Sequence, residues 1–179
     1  MPKLNDTLAI IVDIQERMIP AMENKLELEK NCITLIKGLS ELNIPLIITQ
    51  QYTKGLGMTI PSILEVAGTE QFYEKTTFSV MKDEATAKAI KDYQRKNVIV
   101  LGIEAHICVL QTCIDLKEQG LNPILVLDCI SSRKTSNVEM TTLRAVQEGI
   151  TITSYESILF ELMESSDMEA FRTISKLVR

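Results

Sequence analysis

Cys108 is the side chain in this sequence whose surroundings best suit chemistry. It follows the apolar run Val98-Ile99-Val100-Leu101, a break at Gly102, and the segment Ile103-Glu104-Ala105-His106-Ile107. Leu110, Ile114 and Leu116 then recur as one face of a helix that runs to Gly120. A cysteine between a buried strand and a helix N-terminus meets backbone N–H groups and the positive end of the helix dipole. Both favour thiolate over thiol. The chemistry expected of it is nucleophilic attack, and thus a covalent intermediate. The competing reading is a buried structural thiol, and position alone rates the two as even.

Asp13 closes the apolar run Leu8–Val12. A carboxylate at that place suits function, and it equally suits a loop cap or a lysine partner. His106 is the sole histidine, two residues before Cys108. At that spacing the two side chains point apart on a helix, so His106 is expected at a pocket rim and not in a Cys–His dyad. One histidine also excludes His-rich zinc sites and the H-E-x-x-H motif. Asp128 and Arg133 are expected to pair and hold the loop Asp128-Cys129-Ile130-Ser131-Ser132-Arg133. Gly55 and Gly57 fit neither glycine-rich phosphate pattern, so no nucleotide cofactor is expected.

The elements that must position these residues follow a strand–helix rhythm. Strands are expected at Leu8–Val12, Leu46–Thr49, 98–101, Ile124–Leu127 (ending in Asp128) and Ile150–Thr153. Phe72–Val80 is β-prone and reads as an irregular strand or loop. Helices are expected near 27–42, 83–95, 110–120, 138–147, 157–164 and 168–178, with one or two turns at 61–66. Short apolar strands alternating with helices predict an α/β fold: a three-layer α/β/α sandwich around a mostly parallel, Rossmann-like sheet. In such a sheet the loops after the strand C-termini share one edge. Asp13, the loop Gln50–Gly57, Cys108 and the Asp128 loop would then meet.

With 179 residues the chain is expected to form a single domain, 1–179. A net charge of −5 argues against nucleic acid as a partner, because an acidic surface repels phosphates. No apolar run is long enough to span a bilayer, and the N-terminus lacks a signal-peptide layout. No membrane association and a cytoplasmic location are expected. Four widely spaced cysteines without a C-x-x-C pair are read as reduced, and Cys32, Cys113 and Cys129 as structural.

Three blocks carry a resemblance to a known family. They are Ala9–Met18 (AIIVDIQERM) with Asp13, Glu74–Val80 (EKTTFSV) with Lys75, and Val98–Val109 (VIVLGIEAHICV) with Cys108. In this order and spacing the chain resembles the isochorismatase-like cysteine hydrolases along nearly its whole length. The segments QQYTKGLG, DCISSR and ESILFELM are similar to the branch of isochorismatase-domain proteins of undefined substrate, alongside the YcaC-like hydrolases. The resemblance implies a catalytic triad of Asp13 as base, Lys75 as charge stabiliser and Cys108 as nucleophile. It implies a non-proline cis peptide at Glu104–Ala105, with the N–H groups of Ala105 and Cys108 facing an oxyanion. Lys75 has no local signal of its own, since a loop lysine is usually solvated. Gln15, Gln51, Tyr52 and Phe78 are expected to line a small-molecule pocket, although each is compatible with ordinary core.

Nicotinamidases of this superfamily carry an Asp/His/His metal site after the second strand. The corresponding segment here has no histidine, so no metal and no cofactor are expected. True isochorismatases lack the nucleophilic cysteine. The expected activity is therefore metal-independent hydrolysis of a small amide-like substrate through a cysteine thioester, in a homo-oligomer. The apolar C-terminal segments are candidates for an interface or for packing on the chain's own sheet. Two other classes stay open: a non-catalytic oligomeric scaffold on the same fold, and a flavodoxin-like binder, which the missing phosphate loop argues against.

Overall fold

The computed structural model describes residues 1–179. Six strands form one sheet: β1 Thr7–Val12, β2 Leu46–Gln51, β3 Tyr73–Lys75, β4 Asn97–Ile103, β5 Asn122–Ser131 and β6 Thr151–Thr153. Every pairing between them is parallel, and their spatial order is β3-β2-β1-β4-β5-β6. The chain winds outward from β1 in one direction, then from β4 in the other. A doubly wound sheet of this order leaves a crevice at the C-terminal ends of its two central strands, where the winding reverses.

The helices are α1 Lys25–Glu41, α2 Thr53–Leu56, α3 Pro61–Ala67, α4 Glu84–Asp92, α5 Leu110–Glu118, α6 Thr135–Gln147, α7 Tyr155–Met163 and α8 Phe171–Leu177. They cover both faces of the sheet. Side chains alternate across a strand, so β1 and β4 feed two cores. Ala9, Ile11, Ile99 and Leu101 pack with Leu35, Ile36 and Leu39 of α1, Ile63 of α3, Leu159 of α7 and Ile174 of α8. Leu8, Ile10, Val98 and Val100 pack with Ile90 of α4, Cys113 and Leu116 of α5 and Ala145 of α6. Strands buried on both faces have to be apolar at consecutive positions, which is why β1 and β4 read as unbroken hydrophobic runs. The apolar C-terminal segments belong to this scheme. Ile158, Leu159, Leu162, Met163 and Ile174 are buried against the chain's own sheet and α1.

The three-layer parallel architecture agrees with the sequence expectation, and the boundaries differ in three places. The segment after β2 holds one helical turn, α2. The segment Phe72–Val80 contributes only a three-residue edge strand. The strand expected to end at Asp128 runs on to Ser131. Its register explains the extension. Val100 pairs with Leu125, but Gly102 pairs with Ile130, so residues 126–129 bulge out of the ladder before the strand rejoins it. Asp128 sits in that bulge and not at a strand terminus.

Gly102 is where the two central strands close on the site. It pairs with Val12 and has φ +126°, and a Cβ there would lie 2.1 Å from the Val12 carbonyl oxygen. That oxygen belongs to backbone and has nowhere to go. Gly102→Ala is expected to destabilise the fold by about 3 kcal/mol or to abolish soluble expression. Urea unfolding checks this, and a wild-type midpoint would contradict the close approach.

Candidate active site

Asp13 is the first residue beyond β1. It takes a left-handed φ of 52°, a conformation aspartate tolerates better than most residues. Its side chain is wholly buried, with Oδ1 accepting from Thr49 Oγ1 of β2 at 2.8 Å. Oδ2 accepts from Lys75 Nζ at 2.6 Å. Lys75 is the last residue of the edge strand β3 and is 1% exposed. Its ammonium group has three protons and three acceptors: Asp13 Oδ2, Gln51 Oε1 at 2.8 Å and the Thr77 carbonyl at 3.2 Å. The parallel register brings the ends of β1, β2 and β3 together, so residues 62 positions apart in sequence share one hydrogen bond.

Cys108 approaches from the other side of the crevice. The chain leaves β4 at Ile103 and forms a π-helical turn, Ala105–Val109, that runs directly into α5. Glu104 accepts at this entrance, its carbonyl bonding the N–H groups of Ile107 and Val109. The cis peptide lies between Ile103 and Glu104, one bond earlier than the resemblance implied, where the chain steps off the β4 ladder. Cys108 is 4% exposed, at the surface of the core below α5 and α6.

The expected thiolate is corrected. The Cys108 thiol is pushed up to about 12, first by burial and next by the negative charge of the Asp13 carboxylate. Lys75 pulls in the opposite direction and does not win. The favourable N-terminal helix position is outweighed because water is excluded and the nearest strong acceptor is an anion. At rest Cys108 is a buried thiol under the influence of a carboxylate, not a preformed thiolate.

The pairing expected between Asp128 and Arg133 does not form. Arg133 Nε instead donates to both carboxylate oxygens of Glu104, at 3.1 and 3.0 Å, and its backbone N–H also reaches Glu104. The bulge turns Asp128 away, and its carboxylate accepts from the Tyr155 N–H at 2.9 Å, at the start of α7. Glu104, which the sequence did not single out, thereby ties the loop after β5 to the entrance of the cysteine turn. His106 lies partly buried with Nδ1 3.0 Å from Ser132 Oγ and Nε2 3.2 Å from Asn137 Nδ2. Both ring nitrogens are engaged, one with Ser132 just after β5 and one with Asn137 in the first turn of α6.

Of the expected pocket residues, Gln15 is fully buried. Its side-chain amide is spent on the backbone of Gln51 and on the Gly57 carbonyl. Gln51 bonds Lys75 and the Thr76 carbonyl. Tyr52 and Phe78 are each about half exposed. Phe78 follows Thr77, whose carbonyl holds Lys75. Thr49 was missed in the sequence, and only its place one strand over from Asp13 could have found it. No group of three histidine, cysteine or carboxylate side chains converges as a metal site would require. Buried side-chain N and O atoms all have partners, so the resting site is a closed hydrogen-bonded network.

This arrangement can be set beside known proteins. The isochorismatase domain matches residues 7–157. A secreted isochorismatase effector of Phytophthora sojae is 37% identical over 150 residues, covering 82% of this chain and 71% of that protein. Isochorismatase domain-containing protein 1 of Salmo salar is 31% identical over 97% of this chain, which spans 61% of that protein's length. The structure titled MAR1 ribonuclease from Caenorhabditis elegans superposes with a TM-score of 0.92 at 34% identity, covering 98% of this chain and 91% of that one. The YcaC gene product of Escherichia coli, described as an octameric hydrolase of unknown specificity, shares the fold at a TM-score of 0.91 and 19% identity, covering 98% and 89%. The matched span takes in β1, the edge strand with Lys75 and the cysteine turn, and the chain belongs to the isochorismatase-like hydrolase family.

Proposed function

We propose that the chain is a metal-independent cysteine hydrolase of a small, neutral, amide-like substrate, working through a Cys108 thioester. One observation carries this reading: the Asp13 carboxylate and Lys75 ammonium are buried together at 2.6 Å, and the carboxylate acts on the Cys108 thiol. An ion pair this deep is poor value as a stabiliser. It is well suited to moving a proton. As Cys108 Sγ attacks the substrate carbonyl carbon, Asp13 takes the thiol proton. The substrate oxygen becomes an oxyanion facing the N–H groups of Ala105 and Cys108. Collapse breaks the C–N bond, and Asp13 returns the proton to the departing nitrogen. Water then gives a proton to Asp13 and attacks the thioester; the C–S bond breaks, Asp13 passes that proton to the departing sulfur, and a carboxylic acid and the thiol result.

Charge bookkeeping favours this sequence. At rest the three side chains sum to zero, with Asp13 negative, Lys75 positive and Cys108 neutral. Moving the thiol proton to Asp13 shifts the negative charge from oxygen to sulfur and creates none. Lys75 faces the anion in either state. The high resting value of Cys108 describes loss of its proton to solvent, which the reaction does not require. In this reading Tyr52 and Phe78 supply apolar pocket walls, while Gln15 and Gln51 act behind the site. The setting is cytoplasmic, where the four thiols remain reduced. Self-association fits α6, which leaves Met140, Leu143 and Val146 exposed.

The ribonuclease name of the nematode relative gives a second reading, carried by 34% identity over 98% of the chain. Phosphodiester cleavage adds negative charge at phosphorus and calls for free cationic donors. Here Lys75 has spent its three protons on protein acceptors, and both nitrogens of the sole histidine are occupied. The net charge of −5 also disfavours a polyanion.

A screen of small amides, ureides and imidic compounds, scored by ammonia or product release, tests the reading, with single-stranded RNA as a parallel substrate. Cys108→Ala is expected to lose hydrolysis about 1,000-fold or more while keeping its circular dichroism spectrum. Unchanged turnover in that variant would sink the assignment, and cleavage of RNA alone would move it to the second reading. Asp13→Asn separates the two duties of the carboxylate. It removes the base, so hydrolysis should fall about 10²–10⁴-fold. It also removes the anion that holds the thiol up, so Cys108 should react faster with iodoacetamide at neutral pH than in wild type. A thiol made slower by Asp13→Asn would contradict the electrostatics.

A further inference from the structure

We infer that Gln51 is the positioning residue that fixes the Lys75 ammonium against Asp13 and Cys108, and that it does not serve as a substrate ligand. Its catalytic meaning rests on the hydrolase reading above. Lysine carries a point charge on a flexible four-carbon stem and can pivot among acceptors. With Asp13 Oδ2 and the Thr77 carbonyl alone, one N–H would be left to swing. Gln51 Oε1, at 2.8 Å, closes the set. The orientation of the Gln51 amide is itself determined. Its Nε2 donates to the Thr76 carbonyl at 2.9 Å, so the oxygen end has to face Lys75.

The backbone of Gln51 is held by an unusual device. The last residue of β2 paired with β1 is Thr49, opposite Val12, because β1 ends there. Gln51 lies two residues beyond, with no strand on that side to meet its backbone. The side chain of Gln15 takes the strand's place. Its Oε1 accepts from the Gln51 N–H at 2.7 Å and its Nε2 donates to the Gln51 carbonyl at 3.0 Å. The same Nε2 donates to the Gly57 carbonyl at 2.7 Å. Gln15 is wholly buried, and on the other side Gln51 pairs with Lys75 itself in the β2–β3 ladder. Gln51 therefore touches Lys75 through both its side chain and its strand register. The Gln51 oxygen is thus committed to the lysine, and one of its two amide N–H groups to the Thr76 carbonyl.

The test reads the charge around Cys108 without any substrate. The rate of iodoacetamide labelling at Cys108 is followed against pH by peptide mass spectrometry in wild type, Gln51→Glu and Gln51→Met. Both variants approximate the size of glutamine and differ in charge. Glutamate adds an anion beside Lys75, so the thiol should ionise with more difficulty and label about tenfold more slowly at about pH 9. Methionine removes the acceptor oxygen, so Lys75 is freer to face a thiolate and labelling should be faster than in wild type. Opposite shifts support the inference, and either one alone, in its stated direction, supports it should the other variant not fold. Equal shifts in the two variants, or none, overturn it, because a packing role would not sense charge. Hydrolysis by Cys108→Ala separates this from the parent reading. If that variant stays active while the opposite shifts are seen, the positioning stands and the hydrolase assignment falls. If it is inactive and the shifts are missing, the reverse holds.

Discussion

The ion pair between Lys75 and Asp13 has no access to water on either side chain. Desolvating two such charges costs several kcal/mol each before their attraction is counted, and removing one partner of a buried pair typically costs about 3–5 kcal/mol. Such a pair persists only where every remaining donor and acceptor is met. Thr49 meets Asp13, and Gln51 and the Thr77 carbonyl meet Lys75. The edge strand β3, three residues long, exists to deliver one lysine to this point. The left-handed turn at Asp13 delivers the other half. Much of the crevice's polar structure follows from keeping these two charges satisfied.

The sheet makes that economy achievable. In a doubly wound parallel sheet, the chain ends of three neighbouring strands emerge side by side, and the turn after β4 faces them across the point of reversal. Gly102 lets the turn come close, since its backbone passes Val12 at a distance no side chain would permit. Behind the crevice β1 and β4 are apolar on both faces, whereas Asp13, Thr49 and Lys75 bring polar groups into the central layer at the site. Glu104 and Arg133 brace the far wall, linking the cysteine turn to the loop after β5.

The electrostatics give Cys108 its character. Two effects compete at Cys108: burial with a neighbouring carboxylate, and the nearby ammonium with a helical N-terminus. The first pair prevails, and the thiol rests protonated. A buried thiol whose ionisation is opposed by a neighbouring carboxylate is quiet towards solvent electrophiles. In the proposed hydrolysis it would react only when a carbonyl is placed so that proton transfer and attack occur together. That behaviour differs from cysteines activated as standing thiolates.

Sequence alone determined the architecture and singled out two of the three residues at the centre of the crevice as candidates. The strands buried on both faces had to be continuous apolar runs, and Asp13 and Cys108 drew attention because Asp13 closes one such run and Cys108 lies in the turn that follows another, just before a helix. These are local signals, set by chain periodicity. Lys75 was reached only through resemblance, because a lysine in a short polar edge strand carries no mark of burial. Thr49 and the Glu104 side chain were passed over, the contact of Gln51 with Lys75 was not foreseen, and Arg133 was given the wrong partner. In each case the deciding fact is a neighbour dozens of residues away. The state of the thiol was misjudged for the same reason: helix position is local, whereas burial and the distance to a carboxylate on another strand belong to the assembled sheet. Sequence thus specified which groups stand at the ends of strands, and tertiary structure decided which of them touch, since contact and dielectric are properties of packing and not of order along the chain.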